Sequence, residues 1–176
     1  GVGARVILHF RSHEKANTAV ASIRTEFKHA NVCAIVFDLA RKETMKNVVE
    51  MYEQAVGKKT PLHILINNAG VMATPFQLKE GVESQFRVCH LGHFALFKAL
   101  LPKLRLAAKS GYCRVVNVSS LAHRFLRCLE KDTIFKLESM NDRAIYSPWG
   151  AYGRSKLANV LFSFEIERRF GDQGIH

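Results

Sequence analysis

The chain has 176 residues, 48% hydrophobic and 23% charged, a balance that fits one globular α/β domain and argues against disorder. Its formal charge of +11 comes without a Lys/Arg block and without interleaved aromatic residues. That disfavours a nucleic-acid-binding module and leaves a polyanionic cofactor or an acidic membrane surface compatible. No apolar run reaches the length that spans a bilayer, and the start Gly1-Val2-Gly3 has neither an initiator Met nor a signal-peptide pattern, which points to a piece of a longer protein. Cys33, Cys89, Cys113 and Cys128 lack metal-ligand or redox spacing and read as free, mostly buried thiols of a reducing compartment.

In chain order, Arg5 to Phe10 reads as a strand, followed by Ser12 as a helix N-cap and a helix over 14–29 with Ala16, Ala19, Val20, Ile23 and Phe27 on its apolar face. Val32 to Phe37 is an apolar run suited to a parallel strand and ends at Asp38-Leu39. A second helix runs from Thr44 to Val56 and stops at Gly57. Leu62 to Ile66 is a strand ending in Asn67-Asn68-Ala69-Gly70. A long helix is expected from Glu80 to Leu101, burying Val82, Phe86, Cys89, Phe97 and Leu100, with Pro102 kinking or ending it. Arg114 to Val118 is a strand ending at Ser119-Ser120. A polar stretch over 121–150 forms a loop to which Phe125, Tyr146 and Trp149 lend an apolar face. The last helix runs from Tyr152 to Phe170 with Leu157, Val160, Leu161 and Phe164 buried.

Strands alternating with helices imply a parallel sheet covered on both faces. Ligands of such sheets bind at the carboxyl ends of the strands. Arg11, Asp38, Asn67 to Gly70 and Ser119-Ser120 all follow strands, so one crevice is expected. Tyr152 and Lys156 stand four apart on one helix face. An ammonium beside a phenol favours the phenolate, and such a tyrosine can exchange a proton with an alcohol or carbonyl oxygen.

Asp38-Leu39, Asn67-Asn68-Ala69-Gly70, Val116-Asn117-Val118-Ser119-Ser120 and Tyr152-Gly153-Arg154-Ser155-Lys156, in that order, resemble the short-chain dehydrogenase/reductase family. His90-Leu91-Gly92-His93-Phe94 and Ser155-Lys156-Leu157-Ala158-Asn159 resemble its retinol-dehydrogenase-like and WW-domain-containing-oxidoreductase-like branch. The resemblance implies a Rossmann-like, doubly wound parallel sheet, with residues 1–176 forming a partial dinucleotide-binding oxidoreductase domain. It makes Tyr152 the general acid/base, Lys156 its electrostatic partner and ribose contact, and Ser120 the hydrogen-bond partner of the substrate oxygen. Asn67, Ala69 and Gly70 would shape the strand end beside the cofactor ribose, with Asp38-Leu39 at the adenine. Arg11, where an acid would suit NAD, would take the 2′-phosphate of NADP, with Lys15 in support. NADP is therefore preferred over NAD.

The resemblance also exposes departures. No Gly-rich phosphate loop follows a first strand, since Gly1 and Gly3 precede a strand. The central strand of the 3-2-1-4-5-6 order is then missing, and a gap is expected between Val6–Phe10 and Leu62–Ile66. The substrate region after the last helix is also missing, so this piece alone should turn over negligibly. Cys89 stands where the branch has Asn and reads as a buried structural thiol. His90 and His93, without a third ligand, do not read as a metal site. The expected activity is interconversion of an alcohol and a carbonyl on a small hydrophobic (retinoid-, steroid- or lipid-like) substrate, intracellularly, in the cytoplasm or on a membrane reached through missing segments, with a homo-oligomer compatible. The alternative is a catalytically impaired dinucleotide-binding or scaffolding relative.

Overall fold

The four apolar runs read as strands pair in parallel two by two, the first with the second and the third with the fourth, each pair across an intervening helix. The structure, a computed structural model, describes residues 3–128 and 133–176. It divides into two units, one holding the chain through Asp38 with Lys42–Thr60, the other Leu39–Arg41 with Pro61–His176. Gly1 and Val2, and the side chains of Phe125 and Cys128, lie outside the described residues.

In the first unit β1 (Val6–Phe10) pairs in parallel with β2 (Val32–Val36), from Val6 opposite Val32 to Phe10 opposite Val36. Between them runs α1 (His13–Glu26), whose N-cap Ser12 accepts from Lys15 N. That hydroxyl satisfies one of the unpaired N–H groups of the first turn. The helix ends sooner than expected. Phe27 leaves helical geometry (φ −121°, ψ 85°) and is 58% exposed, so it is no core residue. The second expected helix is broken at Asn47 into α2 (Lys42–Lys46) and α3 (Val48–Val56). Gly57 closes α3 at φ +100°, where a side chain would be strained.

In the second unit β3 (Ile64–Asn67) pairs in parallel with β6 (Arg114–Asn117), and Asn67 stands opposite Asn117. Among the described residues the two parallel ladders are separate, and none joins β1 to β3. The helix expected from Glu80 begins later. Leu78–Lys79 (β4) and Val82–Glu83 (β5) form a hairpin around Glu80 (φ +49°) and Gly81 (φ +76°). Two successive left-handed residues make a hairpin turn, which excludes a helix there. The Glu83 carboxylate then accepts from Gln85 N and Phe86 N and caps α4 (Ser84–Phe86). A π-helical turn, Arg87–Leu91, leads into α5 (Gly92–Ala108). Pro102 lies inside α5 and does not end it, because Leu100 and Leu104 on either side remain buried in the core.

The 121–150 stretch is not all loop. It contains a 3-10 segment, Leu121–Cys128, and a short helix, α6 (Leu137–Met140). The last helix, α7 (Pro148–Phe170), starts four residues earlier than Tyr152 because Ser147 caps it and Pro148 occupies its first position. Its buried face is also different from the expected one. Ala151, Ser155, Lys156, Ala158, Asn159, Phe162 and Ile166 face inward, whereas Leu161 is 48% and Phe164 70% exposed, with Leu157 and Val160 half-buried. The polar members of that face find hydrogen-bond partners, which removes the usual penalty of burying them.

Gly92, the first residue of α5, lies against the Leu39 backbone. A Cβ there would sit 2.7 Å from Leu39 O. We expect Gly92→Ala to lower the stability measured by urea denaturation by about 1–3 kcal/mol, the usual cost of overpacking.

Candidate active site

Strand β6 delivers its next three residues to the side of α7. The Val118 carbonyl accepts from Lys156 Nζ at 2.9 Å, and Ser119 Oγ donates back to Lys156 O at 2.8 Å. Lys156 is buried, and its ammonium lies over the Tyr152 ring at 5.5 Å from the centroid. The i, i+4 pair is thus realised as a lysine anchored on the strand end and stacked on the tyrosine. Ser120 follows directly, its Oγ accepting from Ala122 N at 3.3 Å and its carbonyl bonded to His123 Nδ1 at 2.6 Å. Gly153 allows this approach. A Cβ there would meet Ala122 O at 2.7 Å, so only glycine lets the 3-10 segment lie on α7 beside Tyr152.

Asn67 and Asn117 close the other side of this strand pair. Asn67 Nδ2 donates to Asn117 Oδ1 at 2.8 Å, and Asn117 Nδ2 donates to Ser163 Oγ at 3.0 Å. Asn67 is 1% exposed and its Oδ1 has no hydrogen-bond partner. An orphaned buried acceptor at a strand end fits a polar ligand edge arriving there. Ala69 and Gly70 follow, and Gly70 packs at Cys89, where an added Cβ would lie 3.1 Å from Sγ.

Cys89 is fully buried, as expected of a structural thiol, and is well bonded. Sγ donates to Val71 O and accepts from Val71 N, both at 3.3 Å. It therefore fixes the segment after Gly70 as a donor-and-acceptor side chain would. Burial pushes its pKa up, opposed by the Val71 bond, the Lys156 charge and Ser155. Burial likewise pushes the Lys156 ammonium down, opposed by Cys89. Cys33 is half-buried, Cys113 buried, and both are free.

Three contributors have no role in the sequence reading. Asn159, one turn beyond Lys156, bonds the Cys89 and Val118 carbonyls. Glu83, 1% exposed, caps α4 and meets the Tyr146 hydroxyl at 3.3 Å. Gln85 donates to Tyr146 Oη and to Pro148 O, tying down the start of α7. Asn159 could have been found from its i+3 spacing to Lys156; the other two carry no local signal. Tyr146 also donates to Thr74 O at 2.8 Å, and Trp149, half exposed, meets Tyr152 edge-on at 6.1 Å. Among the described residues no group of three His, Cys, Asp or Glu side chains is placed to hold a metal ion; His90 is bonded to Asn159 Oδ1 and His93 to Cys89 O.

In the first unit Arg11 is exposed at the carboxyl end of β1, directly before the α1 cap, with Lys15 also exposed one turn on. His9 stacks on Phe37 at 4.0 Å, bonds Phe37 O at 2.8 Å, and lies within the electrostatic reach of both Arg11 and Asp38. Arg11 and Asp38 thus sit at the same end of the β1–β2 pair. A groove of about 690 Å³ in this unit, lined by residues such as Ala16, Val36 and Met51, includes none of the expected site residues. Leu39 is buried against Gly92 in the second unit.

With these positions fixed, the relatives are informative. The pattern described as short chain dehydrogenase matches residues 2–127. The chain is 38% identical over 177 residues to the short-chain dehydrogenase TIC 32 A, chloroplastic, of Brassica napus, covering 99% of this chain and 53% of that protein. It is 39% identical over 175 residues to the WW domain-containing oxidoreductase of Danio rerio, covering 98% and 41%. It is 36% identical over 174 residues to retinol dehydrogenase 12 of Mus musculus, covering 98% and 51%. Among solved structures, an uncharacterised protein of Mycobacterium paratuberculosis superposes with a TM-score of 0.72 at 34% identity, covering 99% of this chain and 57% of that one. A gluconate 5-dehydrogenase of Burkholderia cenocepacia in complex with NADP and tartrate shares the fold, with a TM-score of 0.70 at 21% identity over 99% and 59%. The chain belongs to the short-chain dehydrogenase family, a family of Rossmann-like oxidoreductases that use nicotinamide dinucleotides on alcohols and carbonyls. It spans 41–53% of the length of these three relatives. Among the described residues no helix is long and apolar enough to cross a membrane.

Burial holds His9 and His90 below the ordinary imidazole value of 6.5. Both are therefore neutral in the fold at a pH where the unfolded chain already takes up protons. Their contribution is fully present above pH 6.5 and is lost as pH falls from there toward the folded values. We expect the thermal midpoint to drop on acidification below pH 6.5, and to drop less steeply in a His90→Gln variant.

Proposed function

We propose that the protein is an NADP-dependent oxidoreductase that interconverts an alcohol and a carbonyl on a small hydrophobic substrate inside the cell. The observation that carries this reading is the lysine anchored on Val118 O at 2.9 Å and stacked over Tyr152, with Ser120 two residues along the same strand end. In carbonyl reduction the Tyr152 hydroxyl gives its proton to the substrate oxygen, and in alcohol oxidation it takes that proton back. Ser120 donates a hydrogen bond to the same oxygen and orients it. Lys156 places positive charge under the phenol ring and holds the nicotinamide ribose. When bound, the nicotinamide supplies or accepts the hydride. Asn67, Ala69 and Gly70 hold the adjoining ribose edge, which the unpartnered Asn67 Oδ1 favours. Asp38-Leu39 face the adenine, and Arg11, exposed with Lys15 nearby, takes the 2′-phosphate. A retinoid-, steroid- or lipid-like substrate is favoured by the resemblance to retinol dehydrogenase 12.

The second reading is a catalytically impaired dinucleotide-binding relative. Cys89, where the resembling branch has Asn, motivates it. The two bonds to Val71 argue that the cysteine preserves the local main chain.

Both readings meet one experiment. The protein in its full natural length is assayed for NADPH oxidation with apolar aldehydes and ketones, beside Tyr152→Phe and Arg11→Ala variants. Turnover should fall by about 10²-fold or more in Tyr152→Phe, the scale of a lost general acid. In Arg11→Ala the KM for NADPH should rise about tenfold or more, the scale of a lost charged contact, with that for NADH little changed. A silent wild type that still binds NADPH supports the second reading, and a wild type that binds neither nucleotide refutes both.

A further inference from the structure

Trp149 is the single tryptophan of the chain and stands one turn before Tyr152 on α7. The two rings meet nearly at right angles, with 82° between their planes and 6.1 Å between centroids. Helical side chains lean toward the N-terminus, so Lys156 lies back over the Tyr152 ring. Tyr152 in turn reaches over the turn that carries Trp149. The phenol is thus flanked along its helix by an ammonium on one side and an indole on the other.

The backbone of this turn is held firmly. Ser147 Oγ accepts from Gly150 N at 3.2 Å, Pro148 fixes the first helical position, and Gln85 Nε2 donates to Pro148 O at 2.9 Å. Gln85 also donates to Tyr146 Oη at 2.8 Å, and Tyr146 donates to Thr74 O at 2.8 Å, which braces the turn from the segment after Gly70. Pinned in this way, Trp149 still leaves 50% of its surface open. A half-open apolar side chain alone is common and needs no explanation. One that touches the phenol proposed to handle the proton is placed to touch what the phenol holds.

A substrate oxygen bonded to Tyr152 Oη carries its carbon substituents within about 3–5 Å of that hydroxyl, the span of one hydrogen bond and the next covalent bonds. Two perpendicular rings form a corner, and a flat ring set in it faces one of them and meets the edge of the other. Both arrangements are attractive between aromatic rings, and a puckered saturated ring makes neither.

We propose that Trp149 is a specificity residue that touches substrate and favours carbonyls bearing an aromatic ring over saturated ones of the same size. This rests on the reading of Tyr152 as the residue that holds the substrate oxygen.

Trp149→Leu keeps an apolar side chain and removes the ring; Trp149→Phe keeps a smaller ring. The protein in its full natural length, with NADPH present, is titrated with naphthamide and with its decahydro counterpart. These two unreactive amides are close in size and differ in flatness, and each Kd is read by saturation-transfer NMR. Trp149→Leu should weaken the naphthamide about three- to tenfold, the scale of one aromatic pair, with the decahydro amide changed less than about twofold and Trp149→Phe between. In turnover, kcat/KM for naphthaldehyde should fall by the same factor, while that for the decahydro aldehyde and the KM for NADPH stay within about twofold. Equal losses for both amides overturn the proposal, because they mark Trp149 as a support for Tyr152 alone. Unchanged affinities overturn it too, as does a wild type that binds neither amide. A wild type that shows the expected binding without turnover refutes the catalytic reading alone.

Discussion

One peptide carbonyl, that of Val118, organises the second unit around Lys156 and Tyr152, the pair proposed to react. It is the first residue past the end of β6, so its position is set by the ladder to β3, and Val118 N is itself held by Asn67 O at 3.1 Å. From that fixed point it receives the Lys156 ammonium and the Asn159 amide, both from α7. Ser119 completes the clasp by donating to Lys156 O. Helix and strand end are thus joined by polar bonds at the place where the chemistry is proposed. The π-helical turn brings a third element, since the Cys89 carbonyl shares the Asn159 nitrogen. A lysine held this way loses little further freedom when a ligand arrives, which is the physical meaning of preorganisation.

The parts of the fold that could be read from the sequence were those with an unambiguous physical signature. Val32 to Val36 and Ile64 to Asn67 lie in apolar runs too short for helices, and they became parallel strands. Ser12 and Gly57 behave as caps because a hydroxyl acceptor and a left-handed backbone are local requirements. The errors have equally specific causes. The apolar spacing from Val82 onward puts the start of the long helix at Glu80, whereas the turn through Glu80 and Gly81 is set by pairing of the flanking residues. Periodicity counts Ser155, Lys156 and Asn159 as exterior, whereas all three lie on the buried face of α7. Their partners are carbonyls from distant strands and turns, which no local pattern reveals. Phe164 and Leu161 consequently took their place in the expected core and are exposed instead.

The candidate site was legible in the same uneven way. Tyr152, Lys156 and Ser120 follow from spacing joined to family resemblance, and the structure places all three around one strand end. Cys89 could be located but not understood from sequence. Its two bonds to Val71 need the fold, since Val71 is eighteen residues earlier in the chain. Glu83 and Gln85, which brace the start of α7 through Tyr146 and Pro148, were invisible because buried polar residues resemble surface ones in a sequence.

The central claim is that the anchored lysine and its tyrosine form a reacting centre. Isotope transfer tests it most directly. The protein in its full natural length is incubated with NADPH carrying deuterium on the transferable position and with an apolar aldehyde, and the alcohol is read by mass spectrometry. The account predicts deuterium on the carbinol carbon of the wild-type product and a near-complete loss of the amount of labelled alcohol formed in the same time by Lys156→Met, whose folding is checked by circular dichroism. Equal amounts of labelled alcohol from wild type and folded Lys156→Met would contradict it, as would an alcohol product free of deuterium.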